Sequence, residues 1–362
     1  MNNIFDFYNN KNIFITGHTG FKGSWMVKVL KMAGANITGY SLNPPTNPSL
    51  YNTAEIEKYM VSSYVGDIRD LEHLKYALKQ SNPEIVIHMA AQPIVRASYS
   101  DPICTYSTNV MGTANLLEAV RECEYVKSVI NVTTDKVYKN NEWCYGYREN
   151  DILDGYDPYS NSKSCSELVT GSYKNSFFQD RDIAVSTCRA GNVIGGGDFS
   201  PDRIIPDCLR AVLNNEVIIV RNPHSTRPYQ HVLEPVYTYL YLAMLQYENK
   251  DIAGAYNIGP DEEDCITTGK LVDIFCKYWG NAKWETVINV KAPHEADFLK
   301  LDCSKIKNII NYHPTWHIEE AVKAVVEWSR VYLSNGDINR IMEKQINDFI
   351  KSKNNIKAGA KV

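Results

Sequence analysis

The fold is decided near the start of the chain by the stretch Lys11-Asn12-Ile13-Phe14-Ile15-Thr16-Gly17-His18-Thr19-Gly20-Phe21-Lys22-Gly23. Its apolar half predicts a β-strand, and the spacing of apolar residues from Gly23 to Ala33 predicts a helix after the turn. Gly17 can form the tight turn, Gly20 lets the backbone approach a pyrophosphate, and Gly23 lets helix and sheet pack closely. Free N–H groups at the helix N-terminus attract phosphates. The order of strand, glycine turn and helix therefore predicts dinucleotide binding.

Apolar runs and helical patterns alternate through the first half of the chain. The further predicted strands cover residues 35–40, 64–67, 83–91, 126–132 and 183–189, and the predicted helices cover 71–80, 105–123 and 159–178. Near-continuous apolar strands are typical of a parallel sheet that is buried on both faces. The pattern predicts an α/β fold with a Rossmann-type doubly wound parallel sheet.

The pattern loosens after residue 189, where glycine and proline become frequent. We expect a dinucleotide-binding Rossmann domain over residues 1–189, to which parts of about 231–258 return. We expect residues 190–334 to form mainly a smaller α/β substrate-binding lobe. Residues 335–362 should form a C-terminal helix and tail.

The composition narrows the possible partners. With 38 basic and 42 acidic residues the formal net charge is -4, which disfavours nucleic acid as a partner. The chain has neither a long apolar run nor a signal-peptide pattern at its start, so we expect no membrane contact. Its nine cysteines form no Cys-x-x-Cys pair. This favours a reducing, cytoplasmic location and no metal site.

The choice between NAD and NADP stays open on chemistry alone. Tyr40 to Pro45 follow the second predicted strand, where a carboxylate usually binds the ribose, and they include neither an acid nor an arginine. Asp67 and Ile68, after the third predicted strand, are candidates for contacts with the adenine. Asp67 could equally be a helix cap or a turn residue.

Tyr159 and Lys163 are spaced one helical turn apart and therefore share one face of a predicted helix. A free tyrosine has a pKa of about 10, so it is almost wholly protonated at neutral pH. A nearby ammonium group and a positive nicotinamide ring would both lower that pKa. Tyr159 could then remove a hydroxyl proton while a hydride leaves the same carbon. The spacing predicts a redox site beside the dinucleotide.

Nearly the whole chain resembles the extended short-chain dehydrogenase/reductase family. Within this family the resemblance is to nucleotide-sugar 4,6-dehydratases, and specifically to their CDP-glucose branch. The strings that carry it, besides the glycine turn, are Ala90-Ala91-Gln92-Pro93, Thr134-Asp135-Lys136, Gly155-Tyr156-Asp157-Pro158-Tyr159-Ser160, Arg189-Ala190-Gly191-Asn192-Val193-Ile194-Gly195-Gly196-Gly197-Asp198 and Arg227-Pro228-Tyr229-Gln230-His231-Val232.

This resemblance implies NAD as the cofactor, a CDP-sugar as the substrate and a homodimer paired through the helices near 105–123 and 160–178. It also implies a role in making deoxysugars for a lipopolysaccharide O-antigen. The implied catalytic residues are Thr134, Asp135, Lys136, Tyr159 and Lys163. The implied cofactor contacts are Gly17, Thr19, Gly20, Phe21, Gly23, Asp67, Ile68, Ala90, Ala91, Gln92, Tyr159 and Lys163. The implied substrate contacts are Asn192, Arg203, Arg227 and His294.

The resemblance also implies a dehydration. Asp135 would protonate a departing C6 hydroxyl after oxidation at C4. Lys136 stands where many relatives have the glutamate that removes the C5 proton. It could be that base once deprotonated, a cation that stabilises the C5 enolate, or a salt-bridge partner of Asp135.

Competing functions remain at this stage. A nucleotide-sugar 4-epimerase shares the fold, the cofactor and the tyrosine, but it has no leaving hydroxyl for Asp135 to protonate. A dehydratase of another nucleotide hexose or heptose, linked to GDP or dTDP, is a closer alternative. A cofactor-binding regulator with a dead site would not need Thr134, Tyr159 and Lys163 together.

Overall fold

The computed structural model describes residues 4–287 and 298–359, with side chains described through residue 355. In chain order its strands are β1 (Asn12–Thr16), β2 (Asn36–Ser41), β3 (Ser62–Val65), β4 (Ile85–His88), β5 (Ser128–Val132), β6 (Ala184–Ala190), β7 (Val193–Ile194), β8 (Ile218–Val220), β9 (Thr226–Pro228), β10 (Gln230–His231), β11 (Ala255–Ile258), β12 (Cys265–Thr267) and β13 (Trp284–Thr286). Seven of them form one sheet in the order β11-β6-β5-β4-β1-β2-β3. Every neighbouring pair in it is parallel, which confirms the predicted Rossmann-type sheet.

Helices cover both faces of this sheet, and others lie outside it. In chain order the helices are α1 (Ile4–Tyr8), α2 (Phe21–Met32), α3 (Leu50–Thr53), α4 (Leu71–Ser81), α5 (Val95–Ser100), α6 (Pro102–Tyr106), α7 (Gly112–Arg121), α8 (Pro158–Tyr173), α9 (Ile204–Leu213), α10 (Leu233–Glu248), α11 (Thr268–Trp279), α12 (Ser304–Ile310), α13 (Ile318–Leu333) and α14 (Ile338–Gly359). Short 3-10 turns lie at Ile56–Tyr59, Asp135–Val137, Lys250–Ile252 and Glu262–Asp264, and π turns lie at Ser107–Met111 and Lys174–Phe178.

Alternate residues of β1 face opposite cores, as strand geometry requires. Ile13 and Ile15 are fully buried in a core with α2, α10 and α14, whereas Phe14 is buried on the other face with α4 and α7. The central strands therefore carry no solvent-facing side. Polar side chains that act on a ligand must come from the ends of the strands.

Several elements differ from the predicted boundaries, among them β4, which covers Ile85–His88 where 83–91 was predicted. β3 begins at Ser62 and ends at Val65, two residues earlier than predicted. Gly66 follows it and packs closely on Tyr40, since a Cβ there would lie 2.4 Å from the Tyr40 ring. The predicted helix over 105–123 is interrupted by the π turn Ser107–Met111, which separates α6 from α7.

The segment after β6 builds the smaller lobe. It contains the two-stranded pairs β7/β10, β8/β13 and β9/β12. A separate core joins α9, α11 and α13 through residues such as Ile205, Phe275 and Val322. Helix α10 packs on β5 and β6, and β11 is the edge strand of the large sheet.

The C-terminal helix α14 is held against α2. The Lys28 ammonium is buried, lies 2.9 Å from the Glu343 carboxylate and donates to Asn339 Oδ1 at 3.0 Å. Asn339 in turn donates to the Ala54 carbonyl. Within residues 4–287 and 298–359, no helix is both long enough and apolar enough to cross a membrane.

Candidate active site

The glycine turn between β1 and α2 has the clearances that a bound pyrophosphate needs. Gly17 has a φ of 78°, and a Cβ there would lie 2.8 Å from the Ala90 nitrogen. A Cβ on Gly23 would lie 2.2 Å from the Gly17 oxygen, so α2 packs this closely only because residue 23 has no side chain. At Gly20 the nearest atom would be 3.5 Å away, which leaves that backbone accessible. The turn therefore fits a dinucleotide.

Hydroxyl groups line the neighbouring end of β2. Thr19 donates to the Leu42 carbonyl at 2.9 Å, and its oxygen lies 2.8 Å from the Ser41 hydroxyl. Phe21 turns its ring toward Gly195, so its backbone at the start of α2 is the part that borders the turn. This end of β2 offers a ribose hydroxyl groups instead of a carboxylate.

Asp67 and Ile68 already have partners within the protein. The Asp67 carboxylate accepts from the backbone and the guanidinium of Arg69, with the shortest bond at 2.6 Å, and this pairing lowers the pKa of Asp67. Asp70, rather than Asp67, caps α4. The Ile68 side chain is buried against Gly112. A contact of either residue with adenine stays a prediction.

A hydroxyl at the end of β1 shapes the loop after β4. Thr16 Oγ1 accepts the backbone N–H groups of Met89 and Ala90, so its own proton goes to His88 Nδ1 at 2.7 Å. Burial lowers the pKa of His88 to about 3, and the neutral ring then donates from Nε2 to Thr113 at 3.2 Å. The loop that carries Ala90 is thereby fixed beside the glycine turn.

Ala91 and Gln92 continue this loop and are half-buried. The Gln92 backbone exchanges two hydrogen bonds with the Asn109 side chain, at 2.8 and 3.1 Å, and Asn109 also donates to Ser162 of α8. The Gln92 amide donates to Thr105. Sequence reasoning missed Asn109, because the π turn that aims it at the loop leaves no pattern in the sequence.

The turn after β5 brings Thr134, Asp135 and Lys136 together. The Asp135 side chain is buried, and its Oδ1 accepts from the Thr134 hydroxyl and from the Lys136 ammonium, both at 3.0 Å. Asp135 Oδ2 is also buried and has no hydrogen-bond partner among the described residues. Lys136 donates to Asn192 Oδ1 at 3.2 Å. The salt bridge between Lys136 and Asp135 is therefore present, and Asp135 Oδ2 accepts no hydrogen bond from the described residues.

Tyr159 and Lys163 lie on α8 as predicted, and both side chains are buried. Burial raises the pKa of Tyr159 to about 12, against the effect of its hydrogen bond with Thr134. Burial lowers the pKa of Lys163 to about 8, and the charge of Glu167 opposes this change. In the protein by itself desolvation outweighs the Thr134 hydrogen bond and the charge of Arg203, and the expected lowering beside a positive nicotinamide ring stays a prediction.

The predicted substrate contacts have different surroundings. Asn192 accepts a hydrogen bond from Lys136, as described above. Arg203, at the start of α9, pairs with Asp198 at 2.9 Å, and its positive charge lowers the pKa of Tyr159 slightly against the larger effect of burial. Arg227 is buried in β9 and donates to the Thr226 carbonyl. His294 lies outside the described residues.

Lys22 is a second residue whose role sequence reasoning missed. It belongs to the first turn of α2, and its ammonium donates to the Tyr239 hydroxyl at 3.4 Å. Burial lowers its pKa to about 7, and the charges of Arg203 and Lys163 add to this effect. Around this site the positive charges of Arg203 and Lys163 therefore both repel that of Lys22.

One group of side chains outside this site has the atom types of a metal site. His317 Nδ1 lies 2.8 Å from Asp264 Oδ2 and 3.4 Å from Glu263. Asp264 Oδ1 also accepts the backbone N–H of Ile318. These contacts fasten the start of α13, so a structural role accounts for the group.

Comparison with known proteins gives close relatives. A family model described as GDP-mannose 4,6 dehydratase matches residues 14–325. The CDP-glucose 4,6-dehydratase of Salmonella typhimurium is 46% identical over 354 residues, which span 96% of this chain and 98% of that protein.

Solved structures share the fold at lower identity. A UDP-glucose 4-epimerase from Thermotoga maritima, solved with UDP-glucose, has a TM-score of 0.77 and 23% identity, over 89% of this chain and 99% of its own. A dTDP-glucose 4,6-dehydratase from Bacillus anthracis, solved in complex with NAD, has a TM-score of 0.75 and 22% identity, over 91% and 99%. At this identity the structures show the fold alone.

Two glycines of the turn allow its role in folding to be tested separately from its role in cofactor binding. We expect Gly23→Ala to lower the free energy of unfolding by more than about 2 kcal/mol, because the new Cβ overlaps the Gly17 carbonyl. Gly20→Ala should leave stability within about 1 kcal/mol of the original. It should nevertheless weaken NAD binding about tenfold, because the methyl group occupies the side that the phosphates approach. Urea unfolding and calorimetric titration with NAD measure the two effects. Equal destabilisation by both substitutions would contradict this assignment.

Proposed function

The chain belongs to the GDP-mannose 4,6 dehydratase family, and we propose that it converts CDP-D-glucose to CDP-4-keto-6-deoxy-D-glucose with NAD as its cofactor. The observation that carries this proposal is the buried Asp135, which directly follows Thr134 and has one carboxyl oxygen without a hydrogen-bond partner among the described residues. An oxidation at C4 alone needs no such acid. The loss of a C6 hydroxyl does.

Tyr159 begins the reaction by removing the proton of the C4 hydroxyl. The bound nicotinamide dinucleotide supplies the acceptor for the C4 hydride and later the donor of hydride to C6. Lys163 stabilises the tyrosine in its ionised form from within the same buried helix face. Thr134 fixes the direction of the phenol through its hydrogen bond.

Asp135 and Lys136 then work as one pair in the elimination. Their 3.0 Å hydrogen bond joins the two groups directly, and we propose that the pair reacts with its shared proton on the carboxyl group and the amine neutral. Lys136 takes the proton from C5, and Asp135 gives a proton to the departing C6 hydroxyl, so water leaves. Lys136 returns its proton to C5 when hydride reaches C6.

Thr134 connects the residue that gains a proton during the reaction with the residue that loses one. Asp135 ends the elimination one proton short, whereas Tyr159 holds the proton from the C4 hydroxyl. The Thr134 hydroxyl bonds both groups: it donates to Asp135 at 3.0 Å and is hydrogen-bonded to Tyr159. A proton can therefore pass from Tyr159 through Thr134 to Asp135, which restores both for the next turnover.

The substrate assignment has a direct test. We expect CDP-glucose to be consumed faster than UDP-, dTDP- or GDP-glucose, with a product that is lighter by one water and develops the near-ultraviolet absorbance of a 4-keto sugar in base. Product mass and this absorbance are the measurements. A product of unchanged mass would identify a 4-epimerase instead, and consumption of only GDP- or dTDP-sugars would contradict the choice of nucleotide.

Two variants separate oxidation from dehydration. Asp135→Asn keeps the shape of the side chain but removes its proton, so we expect reduced cofactor to accumulate without loss of water. Tyr159→Phe should abolish both signals, because it cannot start the oxidation. Lys136→Met should lower turnover by about 10² to 10⁴-fold and stop exchange of the C5 proton with deuterated solvent. Retained exchange in Lys136→Met would leave Lys136 as an enolate stabiliser or a salt-bridge partner.

We further propose that the active form is a homodimer joined through α6, α7 and α8. Exposed apolar residues lie along these helices and their π turns, among them Ile103, Met111, Leu168 and Phe177. We expect Leu168→Lys to shift the sedimentation of the protein from dimer to monomer. Val217→Lys, at an exposed apolar residue outside these helices, is the matched control. An unchanged mass for Leu168→Lys would exclude this surface.

A further inference from the structure

Glu167 lies one turn beyond Lys163 on α8, and its side chain is only 3% exposed. Its carboxylate accepts from the Thr133 hydroxyl at 2.5 Å, the Thr187 hydroxyl at 2.6 Å and the Arg189 guanidinium at 2.9 Å. Three donors, one of them a cation, therefore converge on one buried carboxylate. None of the steps derived above uses this residue.

Helix α8 is fastened to the end of β5 at two consecutive residues. Lys163 donates to the Val132 carbonyl at 3.1 Å, and Glu167 accepts from Thr133, the next residue. Thr134 follows directly. These two bonds therefore set the distance between the helix that carries Tyr159 and the turn that carries Thr134.

Glu167 also supplies negative charge to Lys163. The other charged or titratable groups that interact with that ammonium are Lys22 on α2 and His88 on β4. Repulsion from Lys163 lowers the pKa values of Lys22 and His88. Glu167 acts in the opposite direction on Lys163.

We propose that Glu167 is a positioning residue of the active site, which fixes Thr134 relative to α8 and places a carboxylate one helical turn from Lys163. The role in turnover rests on the proposed dehydratase activity, whereas the effect on Lys163 does not. A core ion pair with Arg189 that serves folding alone is the competing explanation, and it predicts changes in stability without changes in the site.

The first experiment compares two hydroxyls that bond the same carboxylate. Thr133→Val removes the bond beside Thr134, and Thr187→Val removes the bond from β6. We expect similar losses of thermal stability. Thr133→Val should also lower kcat about tenfold with little change in KM, because misplacement of Thr134 affects the reacting atoms. Equal values of kcat in the two variants would overturn the positioning role.

The second experiment measures the charge of Lys163 without turnover. Lysine labelled with ¹³C at Cε is titrated by NMR, and the Lys163 signal is assigned by its loss in Lys163→Met. Glu167→Gln should lower the pKa of Lys163 by about one unit, because an opposite charge nearby favours the ammonium form. Glu167→Asp, which keeps the charge, should restore most of the original value.

The Glu167→Gln substitution should also change the pH dependence of kcat. With Glu167→Gln the ammonium loses its proton at a lower pH, so the alkaline fall in kcat should also move to lower pH. If this variant does not fold, Glu167→Gln with Arg189→Met removes both buried charges together and serves in its place. An unmoved Lys163 titration would overturn the charge role even if CDP-glucose proves not to be the substrate.

Discussion

The central sheet is buried on both faces, and this constraint governs where chemistry can occur. Polar side chains are costly within such strands unless they are fully hydrogen-bonded. Such side chains lie at or beside the carboxyl ends of β1, β4, β5 and β6, at Thr16, His88, Thr133 and Arg189. Thr16 bonds His88, and Thr133 and Arg189 both bond Glu167. Glu167 thereby joins the ends of β5 and β6 to α8.

Local patterns made much of this fold and site predictable. The glycine turn and the pair Tyr159 and Lys163 each depend on residues a few positions apart, so spacing alone gives their geometry. The contacts of Glu167 join residues up to 34 positions apart, and its spacing from Lys163 by one turn is the only local signal of its role. The role of Asp67 could not be settled from the sequence. Its spacing from Arg69 does not show whether the carboxylate pairs with that guanidinium or contacts a ligand.

Electrostatic properties were the hardest to predict. The spacing of Tyr159 and Lys163 gives no sign of how far the phenol is desolvated, and in the protein by itself burial raises its pKa. Burial at the strand ends likewise shifts Lys22 and Lys163 toward neutrality. The sequence motif predicted that Asp135 and Lys136 act together. It did not predict that Asp135 Oδ2 lacks a hydrogen-bond partner among the described residues, because this depends on packing from several elements.

The clasp between α2 and α14 has a consequence for synthesis at the ribosome. Lys28 follows the glycine turn within one helix, but its carboxylate partner, Glu343, is translated more than 300 residues later. Until then the Lys28 ammonium lacks this counter-ion and has the Tyr59 ring, whose centroid is 4.1 Å away, as a partner from the early part of the chain. The contact between α2 and α14 therefore forms only after residues 338–359 have been translated, later than any contact within the glycine turn.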